Sequence, residues 1–235
     1  MNKEKSLFQE RLVGLYLRLN GYFQTGYIPH SSQKGQIGTD FDRFAIRFPR
    51  HSQPEREIKE CPCLKISNGK IDIVLAEVKN SDLKFNKTIK TGGSKAVENW
   101  EQLLRWSGLF EHKEIDSLVP QLISVVDQDG IKKGDDFNYI VHSNEFGEIA
   151  IRPILFSIEN PKSENDLKIW INGDDMISYI WDCLCPSANR KDCSIKYPYE
   201  AWGFEYSDIV RYFKARNKEG KGKPSTKDLY TEFKV

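Results

Sequence analysis

Glu77 and Lys79 close an apolar run, Ile71-Asp72-Ile73-Val74-Leu75-Ala76-Glu77-Val78-Lys79. Side chains on a β-strand alternate between faces, so this acid and this base point the same way while Val78 points the other. A run so apolar reads as a central strand. A second, acidic run lies upstream: Gly38-Thr39-Asp40-Phe41-Asp42-Arg43-Phe44-Ala45-Ile46-Arg47-Phe48. Two carboxylates and a lysine on neighbouring strands are what a divalent metal and an activated water need for phosphodiester hydrolysis. Two carboxylates about 4 Å apart repel by roughly 4 kcal/mol at an effective dielectric of about 20, so a buried acidic cluster predicts a cation. The bland alternative for Glu77 and Lys79 is a salt bridge at a strand end.

Such a site needs elements to hold it. Leu7, Phe8, Leu12, Leu15, Tyr16 and Leu19 recur at three- and four-residue spacing, which predicts an amphipathic helix over 6–20, stopped at Asn20-Gly21. Residues 22–28 read as a short strand, 40–48 and 71–79 as strands. The proline-bearing, charged segment 49–63 between them reads as a loop or hairpin extension. Ser94 is placed to cap a helix running to about Phe110. Residues 118–126, 137–142 and 149–158 read as strands; 176–183 and 207–215 read as helices. The Gly/Lys-rich stretch 218–223 reads as a mobile basic tail. The predicted architecture is α/β: a mixed central sheet flanked by helices in residues 1–158, with a helical elaboration in 159–235 packed on it.

Length and composition agree with one large folded domain or one domain with an appendage. The 235 residues are 39% hydrophobic and 12% aromatic, enough to build a core and to exclude wholesale disorder. The net charge of +1 confines any nucleic-acid footprint to a local patch. No stretch approaches the about 18 consecutive apolar residues of a membrane span, and the N-terminus lacks a secretory apolar region, so the expected location is the cytoplasm. Five cysteines, an odd number, are expected as free thiols.

The ordered set Glu10 on the first helix, Asp42 on a strand and Glu77-Val78-Lys79 on the next resembles the PD-(D/E)xK, or restriction-endonuclease-like, superfamily of metal-dependent nucleases. The opening pattern Glu10-x-x-Val13 followed by Leu19-Asn20-Gly21-Tyr22 is similar to the archaeal Holliday-junction resolvase branch. The resemblance implies a restriction-endonuclease-like core and a deoxyribonuclease that uses Mg²⁺, with Mn²⁺ as a substitute. It implies that Asp42 and Glu77 bind the metal, that Lys79 orients the attacking water, and that Glu10 is an auxiliary ligand. Asp40 shares the face of Asp42 by period two and is a further candidate ligand; its alternative is a solvated loop acid. DNA is the implied partner, duplex or branched, and homodimers are common among similar proteins.

Lys84, Lys87, Lys90 and Lys95 follow the acid-x-base directly and are candidates to hold DNA phosphates. A solvated loop is the alternative. Cys61-Pro62-Cys63 and Cys183-x-Cys185 invite a structural Zn²⁺, although zinc pairs are more often spaced by two or more residues. The C-terminal tryptophans and tyrosines read as core or interface rather than base-stacking groups. Two further functions remain open: a nuclease-like DNA- or protein-binding scaffold without catalysis, and a zinc-stapled interaction module.

Overall fold

The computed structural model describes residues 3–26, 41–54, 58–66, 69–80, 83–93, 95–128, 139–159, 170–186 and 198–235. Asp40, Ser94 and Cys193 lie outside them. Helix α1 (Lys3–Leu19) leads into strands β1 (Phe23–Thr25), β2 (Arg43–Arg47) and β3 (Lys70–Val78), then helices α2 (Ala96–Ser107) and α3 (His112–Asp127). Strands β4 (Ile140–Asn144), β5 (Gly147–Phe156) and β6 (Trp170–Ile171) follow, and helices α4 (Gly173–Leu184), α5 (Ser207–Lys218) and α6 (Thr226–Phe233) close the chain.

The sheet is mixed, in the order β1-β2-β3-β5-β4, with β6 paired to the far half of β5. β1, β2 and β3 form an antiparallel meander, while β5 runs parallel to β3 across its whole length, Lys70 opposite Glu148 through Val78 opposite Phe156. Parallel neighbours need a long crossover, and α2 and α3 supply it. β3 is therefore central and covered on both faces, which is why its sequence is a continuous apolar run rather than an alternation.

Period two sorts the core into two layers. Ala45, Val74, Ala76, Ile154 and Phe156 face α1, α4, α5 and α6. Phe44, Ile71, Ile73, Leu75, Ile149, Ile151 and Leu155 face α2 and α3. The C-terminal third thus completes the α1 side of one shared core. Trp170, Tyr179 and Tyr206 are buried in it or against the sheet. At two glycines the backbone demands it: Gly21 ends α1 at φ +85°, and a Cβ on Gly173 would lie 2.0 Å from the Ile158 carbonyl oxygen.

Two sequence expectations are corrected. Residues 118–126 form the second half of helix α3, not a strand. The β-branched run Val125-Val126 misleads, because the buried residues Ile115, Leu118, Val119, Leu122 and Val126 follow helical spacing. A capping box between Glu111 and Glu114 starts the helix, which carries Pro120 in its interior. Beyond residues 218–223, where a tail was expected, the chain turns at Gly220 and Gly222 and forms α6. Ser225 and Asp228 make a capping box there. Leu229 is fully buried, and Phe233 stacks on Phe8 of α1 with ring centroids 4.7 Å apart.

Candidate metal and phosphodiester site

The C-terminal end of β3 and the start of β2 meet at one rim of the sheet. Arg43 pairs with Ala76, so Asp42 and Glu77 follow one step further along the same ladder. Asp42 Oδ2 accepts from the Val78 backbone N–H at 2.6 Å, which fixes the carboxylate beside the end of β3. Lys79 Nζ makes an ion pair with Glu77 Oε1 at 2.6 Å and donates to Asn86 Oδ1 at 2.7 Å. Glu77 is 2% exposed, whereas the Lys79 side chain is 20% exposed, so the ammonium is the part of the pair that meets solvent. As alternation requires, Glu77 shares the α2/α3 face with Leu75.

Glu10 arrives from the opposite side, on α1. Burial raises its pKa first, and the nearby Asp42 carboxylate raises it further; Arg43 and a hydrogen bond from Ser6 work against the shift. Asp42 is likewise raised, by burial first, against the opposing Val78 N–H and the positive charges of Lys79 and Arg43. Asp42 links the two sides of the rim: its charge raises the Glu10 pKa on one side, and Lys79 lowers its own from the other. Arg43 makes an ion pair with Glu205, and its Nε is buried without a hydrogen-bond partner among the described residues. Asn86, Arg43 and Glu205 were not singled out from sequence. Arg43 and Arg47, four residues apart on one strand face, were the available signal for buried arginines.

A hard cation fits these groups in kind. The carboxyls of Asp42 and Glu10 press on each other in a half-desolvated setting, where a divalent ion would relieve both. Mg²⁺ needs only one or two carboxylates besides water and phosphate oxygens. Among the described residues, no three His, Cys, Asp or Glu side chains group closely enough to hold a metal by themselves. That applies to the cysteines too. Cys61 caps the turn Pro62–Leu64 and Cys63 lies within it, while Cys183 and Cys185 end α4. Cys185 Sγ contacts the Phe213 carbonyl at 3.6 Å, and burial pushes its thiol up to about 11.

The segment that carries the lysines is strapped to the helices beside it. Between β3 and α2, Trp100 Nε1 donates to the Ile89 carbonyl at 3.0 Å, and Asn99 Nδ2 to that of Thr88 at 3.1 Å. Thr91 is tied to Asp127 through both its N–H and its hydroxyl. This strapping leaves Lys84 and Lys87 exposed and Lys90 and Lys95 half-buried, on the segment that also carries Asn86.

The raised acids carry a stability consequence. A carboxyl whose folded pKa exceeds its unfolded value, about 3.9–4.3, favours the fold below that value and withdraws the support as pH rises through the folded pKa. Ionised Asp42 and Glu10 therefore cost stability at neutral pH. Asp42→Asn, which still accepts from Val78 N–H, is expected to raise Tm at pH 7 by about 2–4 °C, the equivalent of roughly 1 kcal/mol. It should also flatten the fall in Tm above about pH 4. An unchanged or lowered Tm in a calorimetric pH series would show that Asp42 is a net stabiliser instead. Comparison with protein-family models, with curated proteins and with solved structures finds no match to this chain.

Proposed function

We propose that the chain is a Mg²⁺-dependent deoxyribonuclease built on a restriction-endonuclease-like core, with Mn²⁺ able to substitute. The observation that carries this reading is the rim itself. Asp42 is pinned to the Val78 N–H, the Glu77–Lys79 pair ends the neighbouring strand, and the Glu10 carboxyl is close enough to Asp42 to be perturbed by it. The element order lends support: a helix with Glu10, a strand preceded by Asp42, an apolar strand ending in Glu77-Val78-Lys79 and then a helix, in a mixed sheet, is the ordered set on which the resemblance rests.

Each group has a distinct task. Asp42 and Glu77, with Glu10 as auxiliary, would hold the metal, which when bound lowers the pKa of a water and neutralises charge on the phosphate. The Lys79 ammonium, aimed by Glu77 and Asn86, presents its remaining donor capacity to a water or a phosphate oxygen. Lys84 and Lys87 lie on the next segment, where a DNA backbone passing the rim would meet them. Positioning and charge stabilisation carry most of phosphoryl transfer, so no covalent enzyme intermediate is needed. A homodimer would place two such rims against two strands.

The test is a cleavage panel of linear, supercoiled, branched and single-stranded DNA with Mg²⁺, Mn²⁺ or EDTA, wild type beside Glu77→Ala. Metal-dependent cutting by the wild type, and none by the variant, is expected. Tight, salt-sensitive binding without cutting on any substrate would replace the enzyme with a DNA-binding scaffold.

A further inference from the structure

We propose that Phe204 is a stacking post for an unpaired nucleobase of DNA held at the rim, so that the site takes single-stranded, flapped or branched DNA in preference to an intact duplex. The inference deepens the proposed function and rests on the rim holding DNA. Phe204 is 100% exposed, the most exposed large apolar side chain among the described residues. One exposed apolar residue signifies little by itself. What distinguishes Phe204 is its mount and its place. It follows the short turn Tyr199–Trp202 and Gly203, whose φ of +77° favours glycine. Helix α1 clamps the backbone on both sides of it. Arg18 Nη1 donates to the Trp202 carbonyl at 2.9 Å, and Arg11 Nε donates to the Glu205 carbonyl at 2.7 Å. The Ser207 N–H returns to the Gly203 carbonyl at 3.1 Å, and Tyr206 is buried. The backbone on either side is tied down while the ring between stands in solvent.

The tip is tied to the chain neighbours of two rim acids. Arg11 follows Glu10 in α1, and Arg43, the ion-pair partner of Glu205, follows Asp42. Glu205 reaches Arg43 on the α1 face of the sheet, which Arg43 shares with Ala45 by alternation. Asn86, between Phe85 and Ile89 of the α2/α3 layer, reaches Lys79 from the other face. Phe204 and the lysine-bearing segment therefore flank the rim, and a DNA strand lying across it meets cations on one side and a ring on the other. The acids near the tip are each matched by a guanidinium: Glu205 by Arg43, Asp208 by Arg11 and Glu200 by Arg211. The half-buried Trp202 is covered by the Arg18 guanidinium, 4.9 Å from its ring centroid. Among the described residues Phe204 thus lacks the surrounding apolar patch that the core of a protein interface needs. A lone ring beside a phosphate-binding surface matches the face of a base. In a duplex each base is stacked between its neighbours, so only an unpaired base offers that face.

The test is equilibrium binding of the full chain to one labelled oligonucleotide, as a single strand and as a blunt duplex, by fluorescence anisotropy with EDTA and with Ca²⁺. Phe204→Ala is expected to weaken single-strand binding by about 5–100-fold, the effect of losing one base–aromatic stack, and duplex binding by less than about twofold. Phe204→Trp should restore the single-strand affinity. Because the ring is fully exposed, the melting temperature of Phe204→Ala should match the wild type, so a folding defect does not confuse the reading. A single strand carrying 2-aminopurine at successive positions reports the stack itself: quenching by the wild type at one position, lost in Phe204→Ala, is expected. Equal weakening on both substrates, or no weakening on either, overturns the role of Phe204 and leaves the rim's DNA reading standing. No binding of either DNA by the wild type overturns both. A selective loss in Phe204→Ala, with no cutting by the wild type on any substrate, upholds the stacking post and removes only the catalysis.

Discussion

Asp72→Ala is expected to destabilise the protein by about 3–5 kcal/mol, the cost of removing one partner from a buried ion cluster. At this chain length that lowers Tm by roughly 10 °C or more. Asp72 lies on β3, 1% exposed, and accepts from Arg152 Nε at 2.8 Å, from Arg152 Nη2 at 2.5 Å and from Arg47 Nη2 at 3.2 Å, with the Tyr22 hydroxyl on the same carboxylate. Arg47 also pairs with Glu60, and both arginines donate to the Leu64 carbonyl. Two guanidiniums and two carboxylates thus balance inside the α1 layer, and β2, β3, β5 and the turn at 62–64 meet there. Without Asp72, two buried arginines share one carboxylate that is itself partly exposed. The double variant Asp72→Ala/Arg152→Met removes one charge of each sign and should recover part of the loss. Denaturant unfolding of both singles and the double gives the coupling. A single-mutant loss below about 1 kcal/mol, the size of an ordinary surface ion pair, would show that the cluster is not interdependent.

The cluster also explains how far the sequence could be read. The central strand was legible because burial on both faces leaves an unbroken apolar run, and Glu77 and Lys79 stood out as the polar exceptions at its end. Asp72 was in the same run and was passed over, since its partners Arg47 and Arg152 are contributed by strands 25 and 80 residues away. A buried charge means little until its partner is found, and partners across a sheet have no fixed spacing. Helix α3 was misread for the reverse reason: Leu118-Val119 and Val125-Val126 have strand composition, and only the helical spacing of the buried set distinguishes them. Of the candidate site, the order Glu10, Asp42, Glu77, Lys79 was visible. Asn86, Arg43 and Glu205 were not, because they matter only through what they touch. Asp40 lies outside the described residues.

The position of Asp72 and of the rim on one strand links stability to chemistry. β3 presents Asp72 to the α1 side near its start and Glu77 to the α2/α3 side near its end, with a fully buried stretch between. A strand fixed in register at its start by two arginines, and paired on both sides by β2 and β5, has little freedom to slide. The rim groups inherit that rigidity, which a site relying on preorganised charge requires.

Lys79→Ala is expected to keep the fold and reduce metal-dependent DNA cleavage by about 10²–10³-fold, the effect of deleting one preorganised donor aimed at developing charge. The side chain lies one residue past the end of β3, and its backbone N–H still bonds to the Phe156 carbonyl at 2.8 Å in the variant, since that contact uses no side-chain atom. What is lost is the ammonium held by Glu77 and Asn86. Removing it also takes the close positive charge away from a carboxylate that is 2% exposed, so a fall in Tm is the competing outcome to measure. Lys79→Ala/Glu77→Gln removes both charges and separates the two effects. Circular dichroism and thermal melts of the single and double variants read stability, and single-turnover cleavage under saturating Mg²⁺ reads chemistry. Near-wild-type melting with lost cleavage assigns Lys79 to the reaction. An unfolded single variant restored by the double, with cleavage never detected in the wild type, makes the pair a structural salt bridge and leaves DNA binding by the lysine-bearing segment as the function to pursue.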